Sequence, residues 1–219
     1  MIKTALCVKK QELLELSNIK CGNEAIYPRV FPNPMSILSL NTYLMNRRDC
    51  EIDEKVVQLL PYVVITDRES GEILSYRRGK AGDENRLHNK CSIGFGGHIE
   101  HCYSYFAPIQ TKIEVLALDT LRELHEELGL DLSQGNLQKL REIISSGDFT
   151  VFYSERDEVS RLHLCVLIQL NVDTDELNKL EAGVICEPEW LTIDELISKH
   201  NRMERELEGW SEIALDFIN

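Results

Sequence analysis

The chain has 219 residues, 43% of them hydrophobic, which is enough for one large domain with its own core or for a domain with an appendage. A formal charge of −13, with 37 acidic against 24 basic side chains, excludes broad contact with a nucleic-acid backbone, which needs clustered positive charge to release counterions. Seven cysteines with no close-spaced C-x-x-C and no secretory leader read as reduced thiols in a cytoplasmic protein, and no apolar run approaches the ~18 residues that cross a bilayer.

Residues 1–58 carry no readable site. A short strand is expected over 4–8 and an amphipathic helix over 11–16, ending near Ser17 and Asn18. Pro28, Pro32, Asn33 and Pro34 then mark an irregular passage before a strand over 42–45. The segment is too apolar for a disordered tail, so it is expected as an N-terminal extension packed on the main domain, residues 59–219, or on a partner subunit.

From Leu59 the pattern becomes strand-like. Tyr62, Val63, Val64 and Ile65 form a continuous run between Pro61 and a turn at 67–71, and the apolar residues at 73–76 complete a hairpin. A basic stretch follows in this otherwise acidic chain: Arg77, Arg78, Lys80, Arg86 and Lys90, with His88. Solvated surface is the ordinary fate of any one of them. As a group they precede a glycine pair, and Arg77, Arg78 and Arg86 are candidate anion contacts because a guanidinium fork can hold a phosphate through two parallel hydrogen bonds.

Residues 92–99 are expected as a strand running into Gly96-Gly97, where the missing Cβ atoms let backbone groups approach a metal or phosphate. Cys91 reads as a buried structural thiol. Tyr103, Tyr105 and Phe106 stand just beyond the turn, where they could stack on a base as a pocket wall or cover a hydrophobic gap.

The stretch that carries chemistry is Arg122-Glu123-Leu124-His125-Glu126-Glu127-Leu128-Gly129-Leu130. At ~100° per residue, Glu123, Glu126 and Glu127 share one arc of a helix, with Ala117, Leu121, Leu124 and Leu128 roughly opposite. Three crowded carboxylates repel one another by a few tenths of a kcal/mol per pair, and a divalent cation reverses that repulsion. A solvated face with an Arg122–Glu126 ion pair is the plainer alternative. Gly129 sits where a helix C-cap favours a left-handed residue.

These residues resemble the Nudix hydrolase signature, G-x5-E-x7-R-E-U-x-E-E-x-G-U with U aliphatic. Glu114, seven further residues and Arg122 through Leu130 match its second half, whereas sixteen residues rather than five separate Gly97 from Glu114, an insertion of eleven within 102–113. The resemblance implies an α/β/α sandwich with a mixed sheet. It also implies hydrolysis, dependent on Mg²⁺ or Mn²⁺, of a phosphoanhydride (pyrophosphate) bond in a nucleoside diphosphate linked to another moiety. Carried over residue by residue, Glu123, Glu126, Glu127 and the backbone of Gly97 hold the metal. Glu123 is also catalytic, Arg122 orients the glutamates, and Glu114 acts around them or as base. Arg77, Arg78, Arg86 and Phe95 become candidate substrate contacts. Two other readings stay open: a Nudix-like module that senses a nucleotide metabolite without turnover, and an enzyme like isopentenyl diphosphate isomerase, which shares this fold and uses a cysteine near its Nudix helix, Cys91 being the candidate here.

After Gly129 a helix or turn is expected over 137–139, strands over 141–145 and 149–153, and a loop over 154–158 in which Asp157 and Glu158 are positions for a further acidic ligand. Strict alternation from Leu162 to Leu170 predicts a strand with one core face and His163 on the other, beside the cleft. Thr192 and Glu195 form a capping box that starts a helix. Met203, Leu207, Trp210, Ala214 and Phe217 predict a last helix whose stripe closes the core or forms a homodimer seam.

Overall fold

The computed structural model describes residues 3–16, 28–81, 85–103 and 106–218; the expected helix end at Ser17 and Asn18, and Tyr105, lie outside them. In chain order the elements are β1 (Thr4–Lys9), α1 (Lys10–Leu16), β2 (Arg29–Val30), β3 (Tyr43–Asn46), α2 (Arg47–Cys50), β4 (Val56–Asp67), β5 (Ile73–Arg78), β6 (Cys91–Ser92) and β7 (Gly94–Phe95). There follow α3 (Ile109–Leu128), α4 (Gln134–Ser146), β8 (Thr150–Tyr153), β9 (His163–Val172), β10 (Ile185–Leu191), α5 (Ile193–Asn201) and α6 (Gly209–Ala214).

From Val56 to Thr66 every residue of β4 except Leu60 is buried, so both faces of the strand need cover and it takes the middle of the sheet. On one edge it runs parallel to β9 over ten residue pairs, from Gln58 beside His163 to Asp67 beside Val172. On the other edge it meets β1 at its start, β7 at Val63 and Val64, and β5 at Thr66. The sheet order is β10-β5-β4-β9-β8-β2, with β1, β3, β6 and β7 attached beside this path. The two periodic faces of β4 and β9 sort into two cores. Val57, Leu59, Val63 and Ile65 join Leu164, Val166 and Ile168 under α3 and α4. Tyr62, Val64, Cys165 and Leu167 lie under α5 and α6. The result is an α/β/α sandwich, in which Leu6 and Val8 of β1 and Leu13 of α1 share the first core.

Four expectations change. Residues 141–145 belong to α4, not to a strand: Leu137, Leu140 and Ile144 are its buried positions, a spacing of three and four that the adjacent Ile143-Ile144 pair had masked. The span 92–99 is two short strands, β6 on β5 and β7 on β4. β9 is covered on both faces, because the sheet has helices on both sides. The last helix is broken. The Cys91 amide donates to Glu206 O at 2.7 Å and the Glu208 amide to Cys91 O at 2.9 Å, so the chain turns after Asn201 and then lies beside β6 over 206–208 before α6. Met203 sits in the turn at φ 58° and is exposed, while Trp210 and Ala214 close the second core. Among the described residues no helix is long and apolar enough to cross a membrane.

β7 can lie against β4 because Gly94 has no side chain: a Cβ there would come within 2.1 Å of the Tyr62 ring. That ring cannot swing aside, since its hydroxyl is bonded to Ser211 at 2.7 Å and donates to Glu208 at 2.9 Å. Gly94→Ala is therefore expected to destabilise the fold by ~1–3 kcal/mol through overpacking, lowering Tm by roughly 3–10 °C. A thermal melt identical to wild type would show that Tyr62 has room to move.

Candidate active site

α3 buries Leu116, Ala117, Leu121, Leu124 and Leu128 and stops at Gly129, whose φ of 66° is the left-handed conformation that ends a helix. The opposite arc faces a cleft of about 470 Å³, walled by Glu123, Glu126 and Glu127, the glycine turn, and residues from β4, β5 and α6. The three carboxylates are not equivalent. The Glu126 side chain is 55% exposed and that of Glu123 only 15%. Glu127 is set deeper, where it accepts the Gly96 amide at 2.9 Å. Burial pushes the Glu127 carboxyl up to about 8, against the pull of that amide and of Arg78. Burial also raises Glu123, against the pull of Arg122.

The glycine turn fits only without side chains. Gly96 has φ 137°, and a Cβ on it would meet Pro61 O at 2.4 Å; a Cβ on Gly97 would meet the Glu123 carboxylate at 2.7 Å. The Gly97 backbone thus rests beside Glu123, and the donors gathered here are all hard oxygens. Such a set fits a hard divalent cation such as Mg²⁺ or Mn²⁺.

Arg122 ties the wall together. Nη2 donates to Glu123 Oε1 at 2.8 Å and to His98 O at 2.9 Å, and Nη1 donates to Glu126 Oε1 at 3.1 Å. Its Nε reaches Asp119 Oδ1 at 3.3 Å. Asp119, only 1% exposed, also accepts the His101 amide at 3.1 Å. Asp119 was missed in the sequence because an acid on the apolar side of a helix has no signature of its own; its place three residues before Arg122 is the one available hint.

Other candidates fall elsewhere. Glu114 does not join the cluster: it is the sixth residue of α3, ~13 Å along the axis from Glu123, and both of its oxygens are held by Arg141 at 2.5 Å. Arg77 and Arg78 are neighbours on a strand and so face opposite ways. Arg78 lines the cleft, but Glu208 engages it through Nε at 2.5 Å and Nη2 at 3.3 Å. Arg77 points away, to Glu187 at 2.8 Å and Asn89 O at 2.8 Å. Arg86 stands behind the wall, on Glu51 at 3.3 Å and Glu158 O at 3.4 Å. Phe95 is fully buried and stacked on Tyr76 with centroids 4.8 Å apart, so it is core and not a substrate contact. Asp157 lines the cleft with its carboxylate spent on its own loop, accepting from the amides of Val159 at 2.9 Å and Ser160 at 2.7 Å.

Of the three aromatics expected to wall the pocket, Tyr105 lies outside the described residues and the other two are placed elsewhere. Tyr103 is buried in the first core under the Lys112 ammonium, and Phe106 is exposed; neither lines the cleft. Cys91 is fully buried in the second core, where burial raises its thiol, and it too is off the cleft wall. The cleft is also lined by residues for which the sequence offered little or no role: Lys3, Arg47 and Glu51 from the N-terminal segment, with His98 and His163.

No family model matches the chain. Protein YmaB of Bacillus subtilis (strain 168) is 33% identical to it over 177 residues, which span 80% of this chain and 77% of YmaB. Tm1382, assigned as a Nudix hydrolase, has a crystal structure that matches with a TM-score of 0.66 at 23% identity, over 98% of this chain and 97% of its own. A NUDIX hydrolase from Alicyclobacillus acidocaldarius matches with a TM-score of 0.49 at 14% identity, over 74% of this chain and 90% of its own. The likeness to Tm1382 shows that the sandwich is the Nudix fold.

Between its ordinary 4.5 and about 8, a folded-state Glu127 keeps a proton that the unfolded chain has lost. More protons bound to the folded state means that stability falls as pH rises through this window. Urea unfolding with a chelator present should show the midpoint declining across that range, and Glu127→Gln should remove most of the decline, Glu123 supplying a smaller remainder of the same sign. Parallel declines in the two proteins would mean that Glu127 is not held protonated.

Proposed function

This chain belongs to the protein family of YmaB from Bacillus subtilis and has the fold of the Nudix hydrolases, and from that premise we propose that it is a metal-dependent hydrolase of a phosphoanhydride bond in a nucleoside diphosphate linked to another moiety. The observation that carries this reading is geometric: Glu123, Glu126 and Glu127 project from one arc of α3 into the cleft beside the glycine turn. Those three side chains and the Gly97 carbonyl would hold Mg²⁺ or Mn²⁺, which when bound neutralises phosphate charge and acidifies water.

The remaining work falls to the chain itself. Arg122 fixes Glu123 and Glu126 to each other and to the turn through His98 O, so the carboxylates keep their spacing without reorganisation. Glu123, the catalytic position of the resemblance, has its carboxyl raised by burial, which makes it a stronger base than an exposed glutamate. Arg78 keeps a fixed positive charge on the cleft wall, because Glu208 prevents it from collapsing onto Glu127. Residues 1–58 are, in this reading, part of the cleft and not an appendage, since Lys3, Arg47 and Glu51 line it. The substrate is a small soluble molecule met in the cytoplasm. A thiol-dependent isomerisation is disfavoured by the burial of Cys91 away from the cleft.

Purified protein with Mg²⁺, offered nucleoside triphosphates, dinucleoside polyphosphates, ADP-ribose, NADH and nucleotide sugars, should release phosphate or mononucleotide from at least one. Glu126→Gln and Glu127→Gln should lower that turnover by orders of magnitude with circular dichroism unchanged, while Glu114→Gln and Cys91→Ser stay close to wild type. Full metal-dependent turnover in both glutamine variants would move the site elsewhere, and its loss in Cys91→Ser with an unchanged Tm would favour the isomerase.

A further inference from the structure

Three groups from distant parts of the chain converge on one part of the cleft wall. Glu51 caps the end of α2, His98 follows the glycine turn, and His163 opens β9; one ligand atom from each lies within 4.8 Å of the other two. His163 Nδ1 is 2.7 Å from Val159 O. A carbonyl only accepts, so Nδ1 carries the proton and Nε2 presents its lone pair. That Nε2 accepts from the Gln58 amide nitrogen at 3.0 Å, a bond that a cation would displace, and it lies 3.6 Å from Glu51 Oε1, to which Gln58 also donates at 3.1 Å. His163 is 3% exposed and Gln58 fully buried, so this is a built site and not a surface coincidence. His98 Nε2 is buried and has no hydrogen-bond partner, and all three side chains line the cleft. A buried ring nitrogen without a partner forfeits ~1–3 kcal/mol, and a cation between the three groups would satisfy it.

We propose that Glu51, His98 and His163 form a second metal site, distinct from the glutamate wall of α3, that takes a borderline divalent ion of the Zn²⁺ class. Two imidazoles and one carboxylate are the donors such ions prefer over Mg²⁺. Three protein ligands leave a coordination position toward the cleft, where water or a substrate oxygen can enter. The outer contacts have the expected form as well. Val159 O fixes the His163 tautomer, and the Gln58 amide orients Glu51. Lys3 and Arg47 also line the cleft, so the site does not attract cations by charge alone, and nitrogen donation must supply the affinity. The proposal is independent of what the glutamates do.

The test uses the full chain, stripped of metal with a chelator and titrated with Co²⁺, whose visible d–d bands report nitrogen ligation at low coordination number. One equivalent should develop those bands, Zn²⁺ should abolish them, and a large excess of Mg²⁺ should not. His98→Ala, which removes a nitrogen without a partner, should weaken Co²⁺ by at least about tenfold, as should Glu51→Gln and His163→Asn. Thermal melts would show that each variant folds; because His163 is buried, His98→Ala carries the decision if His163→Asn does not fold. The Glu126→Gln, Glu127→Gln double variant should keep the bands. Absence of bands in wild type, bands that survive in His98→Ala and Glu51→Gln, or bands lost in the double glutamate variant would each overturn the proposal.

Discussion

Taking a carboxylate out of water is expensive, and the cleft is arranged around one such burial, that of Glu127. The Gly96 amide reaches it from a turn that must hold φ 137° and pass within contact of Pro61 O, which ties the turn to β4. Arg78 brings charge from β5, and Glu208 holds Arg78. Glu208 is itself 3% exposed and accepts from Tyr62 at 2.9 Å and Ser92 at 2.7 Å. One buried carboxyl on α3 is thus linked through β5 to a second one before α6. In a medium where charges interact strongly, each member depends on the next being in place.

The parallel pairing of β4 with β9 does for His163 what the glycine turn does for Glu127. It sets Gln58 beside His163 as register partners, with β1 on the far edge of Gln58 at Cys7. A histidine in such a position is surrounded by backbone whose groups are already paired, so its ring nitrogens turn to side chains and loops: Nδ1 donates to Val159 O, Nε2 accepts from the Gln58 amide, and Glu51 stands 3.6 Å away.

Features with a local period were legible in the sequence. The 3.6-residue spacing of α3, its glycine stop, the strand at β9 and the Thr192–Glu195 capping box are all present. The α/β/α class could be read for the same reason. What escaped depends on distant partners. Arg77 and Phe95 could be sorted from the cleft only once the faces of β5 and β7 were known. The break after Asn201 arises from backbone bonds to Cys91, more than a hundred positions away, and no propensity of residues 202–208 announces it. α4 was misread because two adjacent isoleucines suit either element, and only the face presented to α3 decides between them. Glu51, His98 and His163 share no spacing, so only the folded chain shows them together.

The same pairing has a consequence for the chain as it is made. The residues that close β4 on one edge, beginning with His163 opposite Gln58, follow it by 105 positions. At ~5–20 residues per second, the ribosome needs roughly 5–20 s to supply them. Throughout that interval Tyr62, Val63, Val64 and Ile65 have an unpaired edge, in a run of high β-propensity with no charge inside it. Helix α3, which covers one face of β4, emerges within that interval, whereas the helices that cover the other face come after β9. The demand for shielding by a chaperone is therefore greatest before residue 163 has left the tunnel, and a translational pause ahead of β9 would lengthen it.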